Sequence, residues 1–321
     1  MIISITTAIK QLKRDKIVAL PSETVYGLAG NAKSRKVVMS IFKAKNRPAD
    51  NPLIVHFKDK TSMLAEVAYV PHYLDQLINS FSPGPVTYIL KLKPDSKLKA
   101  STLGKESIAC RIPSNKDFLS ILNSIDFPIC APSANTSGKP SGTNALMVAN
   151  DLGDKIAGVV DGGPSDIGLE STIIDCREPN SITILRSGVI GKEEIRKVFQ
   201  SLHIIENSKS KEVVPGNKYR HYSPNTPIYE INSTENLKKS DSIICCLEEY
   251  FPLKRSGFSE LIIIGSRFNS NHIARKLYDK INSIDSLKTS KVYWKSFEYQ
   301  GKTSVKESLA NRLKKILKQN S

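Results

Sequence analysis

Through its first two hundred residues the chain alternates short apolar runs with amphipathic ones, and no other feature constrains its fold so tightly. Runs at 17–21, 53–57, 86–92, 108–112, 128–131 and 158–161 read as strands, and segments 34–45, 72–81, 116–125 and 144–152 read as helices. Such alternation buries one sheet beneath helices, which makes an α/β domain. Two more strands, at 172–176 and 182–186, follow with no helix between them before a last helix at 192–202. That cluster points to a twisted mixed sheet flanked by helices and not to a purely parallel one.

The pattern breaks at 206–226. Asn207 to Lys211 are polar, and Pro215-Gly216 and Ser223-Pro224 are turn signals. This stretch is expected to link a domain of residues 1–205 to one of residues 227–321. Its centre, Lys218-Tyr219-Arg220-His221-Tyr222, is too rich in aromatic and cationic groups for an inert spacer. Beyond it, strands at 228–231, 242–247, 261–265 and 292–297 and helices at 272–284 and 304–317 predict a smaller α/β, Rossmann-like unit. The last helix sets Val305, Leu309, Leu313, Ile316 and Leu317 on one stripe, with lysines opposite that read as a solvated face.

Composition narrows the function classes. No run approaches the ~20 apolar residues that cross a bilayer, so no membrane partner is expected. The opening Met1-Ile2-Ile3-Ser4-Ile5 has no basic segment before it and no small-residue cleavage site after it. It is expected to lead into a first helix, in a cytoplasmic protein. The five cysteines are odd in number and none pairs as C-x-x-C, against a disulfide framework or structural zinc. The five histidines lack metal-ligand spacing, so no dedicated metal site is expected. The net charge of +16 is denser after residue 200 and favours phosphate-bearing partners, nucleotide or nucleic acid.

The residues suited to chemistry fall in loops after strands, where α/β sheets commonly hold ligands. Residues 21–28 offer hydroxyls, a carboxylate and a glycine. Lys45-Asn46-Arg47-Pro48 sets two cations around one neutral residue, a spacing that could clamp a polyphosphate or simply end a helix. Residues 131–142 are dense in hydroxyls, an amide and glycines that can present donors to phosphate oxygens. Gly162 and Gly163 permit close backbone approach, and Gly168-Leu169-Glu170-Ser171-Thr172 follows. Arg111 and Arg186 stand at strand ends. Familiar nucleotide motifs are missing: Gly301-Lys302-Thr303 mimics the tail of a phosphate-binding loop, but Ser296 occupies its first glycine position. A nucleotide site would draw on side chains from several loops.

Taken in order, PSETVYGL, KAKNRPADNPLIVH, FSPGPVTYIL, ACRIP, APSANTSGKPSGT, DGG with GLESTIID, and ILRSG closely resemble the threonylcarbamoyl-AMP synthase family. The likeness is to its two-domain form, with an N-terminal YrdC-like domain, and VPGNKYRHYSP resembles that form's linker. Departures are modest, Ser22 for a common Thr and Asn217 for a usual Met. The resemblance implies synthesis of threonylcarbamoyl-AMP and pyrophosphate from L-threonine, bicarbonate or CO2, and ATP with Mg2+. The product would serve tRNA modification through a downstream transfer machinery. It implies that Thr24, His56, Arg111, Ala131 (through its backbone) and Ser171 hold threonine. Arg47, Asn51, Ser107, Ser133, Ser141, Arg186 and Tyr222 would hold ATP. Lys45, Arg47, Ser133 and Asn135 would serve catalysis. Two rival readings remain, a non-catalytic RNA-binding protein and another ATP-dependent carbamoylation enzyme.

Overall fold

The computed structural model describes residues 1–206, 222–287 and 289–317. The first elements are β1 (Ile2–Ile3), α1 (Ile5–Lys13), β2 (Val18–Leu20), β3 (Gly27–Asn31), α2 (Arg35–Ala44) and β4 (Val55–His56). Next come α3 (Lys60–Leu64), α4 (Leu74–Phe81), β5 (Val86–Lys91), β6 (Ser107–Arg111), α5 (Lys116–Asn123) and β7 (Ile129–Cys130). Then follow α6 (Ala145–Leu152), β8 (Val159–Val160), β9 (Thr172–Asp175), β10 (Ser181–Arg186), α7 (Lys192–Val198) and β11 (His203–Glu206). The rest are β12 (Ile228–Ile231), β13 (Ser242–Cys245), α8 (Leu247–Arg255), β14 (Leu261–Ile263), α9 (Ser270–Ser283), β15 (Val292–Lys295) and α10 (Thr303–Leu317).

One sheet runs β1-β8-β2-β3-β7-β4-β6-β5-β9-β10-β11. It is mixed, as expected: β4 and β6 pair parallel, while β5 and β6, and β9 and β10, pair antiparallel. A second sheet, β12-β15-β13-β14, is parallel throughout. Side-chain alternation puts cores on both faces of the large sheet. Val18 and Leu20 join Ala8, Leu12, Phe118 and Ile121 from α1 and α5, whereas Ala19 joins Val37, Ile41 and Leu77 from α2 and α4. Polar caps fix several helix starts. Ser34, Asn115 and Asn144 each accept a backbone N–H from the first turn of α2, α5 and α6.

A third apolar cluster joins the two halves. Ile273, Leu277, Leu309 and Leu313 of α9 and α10 pack with Val25, Met147 and Leu169 of the first half. The approach is close at Gly168, whose φ is 76° and where a Cβ would stand 2.6 Å from the Ala274 carbonyl oxygen.

Some elements escape the sequence reading. The segment Met1 to Ile5 leads into α1 as expected, but Ile2–Ile3 also form a strand against β8. β3 reads as loop because it holds two glycines. Its Gly30 lets α2 lie on the strand, since a Cβ there would meet Val37 Cγ1 at 2.3 Å. Residues 21–26 are therefore the connection of an antiparallel β2–β3 hairpin. The sequence pattern also misses helices α3 and α8 and strand β11. Glu206, placed above at the head of the linker, ends β11. The linker's centre, Lys218 to His221, lies outside the described residues.

Candidate active site

Loops from β2–β3, α2–β4, β7–α6 and β9 converge on one cavity. At one end Arg111, closing β6, reaches the hairpin connection. Its Nη1 donates to Thr24 Oγ1 at 2.9 Å, its Nη2 pairs with Glu23 Oε1 at 2.6 Å, and its Nε donates to the Gly84 carbonyl at 3.2 Å. Ser22 staples the turn by donating to the Val25 carbonyl at 2.6 Å. Burial alone would raise the Glu23 carboxyl; the charge and hydrogen bond of Arg111 outweigh it and hold the group below its usual range. Glu23 Oε2 finds no hydrogen-bond partner among the described residues.

His56 pairs with Arg111 across β4 and β6 and stacks on Phe118, with ring centroids 5.0 Å apart. Burial, then the Arg111 cation, pushes its pKa down to about 3, so the imidazole is neutral. Its Nδ1 is buried without a partner among the described residues. Ser171 Oγ lies 2.8 Å from Thr87 Oγ1 and accepts from Arg186 Nη2 at 3.0 Å. Thr24, His56, Arg111, Ala131 and Ser171 thus all line the cavity.

The other end is built where α2 stops. Asn46 takes φ 50°, a left-handed turn that Asn tolerates and that separates Lys45 from Arg47. Lys45 turns inward beneath the 131–142 loop, donating to the carbonyls of Ser133 at 2.5 Å and Asn135 at 2.6 Å. Burial, then Arg47, lowers its pKa well below the usual lysine value. Asn135 Nδ2 donates to the Thr136 and Lys139 carbonyls, both at 2.9 Å, while its Oδ1 is buried without a described partner. Asp151 ties the same loop down through the Thr136 N–H at 2.5 Å and Lys139 Nζ at 2.7 Å. Lys45, Arg47, Ser133, Asn135, Ser141, Arg186 and Tyr222 line the cavity. Asn51 and Ser107 do not. Asn51 is buried and offers its carbonyl to Arg47 Nη2 at 3.1 Å; Ser107 stands at the opposite end of β6 from Arg111, paired with Lys91.

One cluster, around Glu170, is marked by no sequence motif that gives Glu170 a role. Glu170 accepts from Ser141 Oγ at 2.7 Å through Oε1, and from Tyr278 Oη at 3.0 Å and Arg312 Nη2 at 3.2 Å through Oε2. Burial would raise this carboxyl, but Arg312, then Arg186, hold it at about 2. Tyr222 stacks on Tyr278, centroids 5.2 Å apart. The face opposite the apolar stripe of α10 is therefore not wholly solvated. Lys315 is half-buried, 5.9 Å from the Tyr222 ring centroid, and burial followed by Arg312 lowers its pKa to about 8. The overlooked signal is Ser304, Ser308 and Arg312 at spacings of four. Two small residues let the helix approach, and the third projects its guanidinium beside them.

Among the described residues, no three His, Cys, Asp or Glu side chains gather as metal ligands. Among the described lining residues Glu170 is the one carboxylate, against Lys45, Arg47, Arg111, Lys139 and Arg186. A mixed α/β sheet, a second α/β unit docked on it and a buried cationic cavity define an enzyme built to handle anionic groups. A family model described as telomere recombination, covering Sua5, YciO and YrdC, matches residues 10–188. A second, for the C-terminal domain of threonylcarbamoyl-AMP synthase, matches residues 190–315. The chain belongs to the threonylcarbamoyl-AMP synthase family. It is 36% identical to the synthase of Bacillus subtilis, over 97% of this chain and 92% of that protein. To the Pyrococcus abyssi synthase it is 38% identical, over 74% of this chain and 71% of the relative. The crystal structure of P. abyssi Sua5 complexed with L-threonine superposes with a TM-score of 0.80 at 32% identity, covering 97% of this chain and 93% of that one.

Proposed function

We infer that this chain condenses L-threonine, bicarbonate or CO2, and ATP into L-threonylcarbamoyladenylate and pyrophosphate. One observation carries this: a single cavity joins a buried guanidinium–hydroxyl–imidazole end to a lysine- and arginine-rich end floored by a hydroxyl loop. The first suits an amino acid carboxylate and the second a triphosphate. The threonine-bound P. abyssi relative supports the first assignment.

In this reading Arg111 takes the threonine carboxylate, with Thr24, Ser171 and the Ala131 backbone beside it. Neutral His56 accepts or donates a hydrogen bond without adding charge. The threonine amine attacks the carbon of CO2 and loses a proton, giving a carbamate. A carbamate oxygen then attacks the α-phosphorus as its bond to the β-phosphate oxygen breaks, and pyrophosphate leaves. Arg47, Arg186, Lys139 and donors of the Ser133–Ser141 loop face the charge that builds on the phosphates, where one preorganised donor contributes ~3–4 kcal/mol. Lys45 acts from beneath by holding that loop in shape. Magnesium would arrive on the phosphates and neutralise them; Asn135 Oδ1, which has no partner among the described residues, fits an oxygen ligand to it.

Residues 1–206, through the end of β11, would be the catalytic domain, 207–226 the linker and 227–321 the smaller domain. The product would pass in the cytoplasm to machinery that modifies the adenosine beside the tRNA anticodon. The test is pyrophosphate release with ATP, magnesium, bicarbonate and threonine, omitting each in turn, for the parent, K45A and R47A. Release that needs both threonine and bicarbonate and falls ~10²–10³-fold in R47A is expected. Release independent of threonine would overturn the substrate assignment.

A further inference from the structure

The site is not complete within the first half of the chain. Residues 167–171 form a strap between the two halves. Ile167 and Gly168 donate their N–H groups to the carbonyls of Glu23 and Thr24 at 2.9 and 3.0 Å, fixing the strap to the threonine-side hairpin. Gly168 also abuts the backbone of α9, and Leu169 is buried in the cluster shared by the two halves. Glu170 turns to Arg312 and Tyr278, and Ser171 turns into the cavity.

Glu170 and Arg312 are 7% and 3% exposed, so water contributes little to stabilising either charge. Two guanidinium groups act on this one carboxylate. Arg312 holds Oε2 while its Nη1 donates to the Ser187 carbonyl at 2.5 Å, just beyond β10. Arg186, the last residue of β10, directs Nε and Nη2 at the Ser171 carbonyl and hydroxyl, both at 3.0 Å. Oε1 is left to accept from Ser141. A carboxylate deprived of Arg312 would draw on Arg186, the second guanidinium whose charge acts on it, and pull it from Ser171.

We propose that Arg312 is a positioning residue supplied by the smaller domain, which by neutralising Glu170 keeps Ser141 and Arg186 in place for the nucleotide. This rests on the placement of Ser141 and Arg186 at the nucleotide end. The same arrangement gives the second domain a role in the reaction: docking of α10 sets the affinity for ATP.

The test compares R312M, E170Q/R312M and S141A by steady-state pyrophosphate release at saturating threonine and bicarbonate, with thermal melts of each. R312M should raise the KM for ATP about tenfold or more, and change kcat much less. The double variant E170Q/R312M has no buried charge left to capture Arg186, so it should recover most of the lost ATP affinity. A residue that merely supports the fold would give losses that add. An R312M whose KM for ATP matches the parent, or a double variant worse than R312M, overturns the proposal. S141A separates the two layers. An unchanged KM for ATP in S141A overturns the nucleotide assignment; a raised one beside an unaffected R312M overturns only the coupling. Should R312M not fold, R312Q takes its place: its amide can still donate to Glu170 but carries no charge, so its KM for ATP should still rise, and an unchanged value overturns the proposal.

Discussion

Replacing Glu23 by Gln removes a charge and keeps the volume. The pair it breaks is short, 2.6 Å, and its side chains are 5% and 7% exposed. Removing one partner of a buried ion pair costs ~3–5 kcal/mol. The amide oxygen can still accept from Arg111 Nη2, and a hydrogen bond to a charged donor returns ~1.5 kcal/mol or more. E23Q should therefore lose ~2–3 kcal/mol of unfolding free energy near neutral pH. The pH dependence has a definite sign. The Glu23 carboxyl is held below its ordinary value of 4.5 in the folded protein. Its contribution is thus full above that value and is lost as pH falls through the folded pKa beneath it. Gln does not titrate, so the gap between parent and E23Q should be widest near neutrality and close toward acid. Urea unfolding at a series of pH values measures it. Threonine affinity, by calorimetry, should hold or tighten, because Arg111 keeps its charge and loses its internal competitor. A gap below ~0.5 kcal/mol, the range of an ordinary surface change, or one that does not vary with pH, would refute the reasoning.

His56 supplies a second pH test. Its pKa falls from 6.5 to about 3 on folding, so the parent should lose about 2–3 kcal/mol relative to H56N between pH 6.5 and 4.5. Parallel denaturation curves that keep a constant offset would count against a buried neutral imidazole. Gly168→Ala adds a methyl 2.6 Å from backbone atoms at φ 76°, and should destabilise by ~2 kcal/mol or more in calorimetric melts; a neutral effect would mean the halves do not meet there. All five cysteines are free and buried, so an aromatic disulfide reagent should titrate none in the native protein and five after denaturation. Rapid native reaction would contradict that burial.

Much of this architecture was legible because apolar periodicity is a local property. Helices over Arg35–Ala44 and Lys116–Asn123, and the strands at Val86–Lys91 and Ser107–Arg111, lie where the pattern places them. The hydroxyl loop and the Lys45–Arg47 pair could be picked out by residue type. β3 could not, because Gly30 is selected for the approach of Val37 and not for strand propensity. Nor could the Glu170–Arg312 pair, whose members are 142 positions apart. A lysine-rich helix shows its apolar stripe plainly, but an arginine bordering that stripe looks the same whether water or a carboxylate faces it. Thr24, Ser171 and His56 were named through family likeness; the hydrogen bonds that orient them depend on a hairpin the pattern did not reveal.

A chain assembled in this way resists being cut. Val25, Met147 and Leu169 belong to a core whose other buried members come from residue 222 onward. Shortened near residue 205, the chain would expose those three side chains and leave Glu170 without Arg312. The loss would fall on solubility and on the cavity together, so a truncated protein's inactivity would say little about chemistry. A stand-alone version of the first half would need polar residues at positions 25, 147 and 169 and an uncharged one at 170. By the same logic, exchanging second halves between relatives should succeed only where positions 170 and 312 travel as a pair.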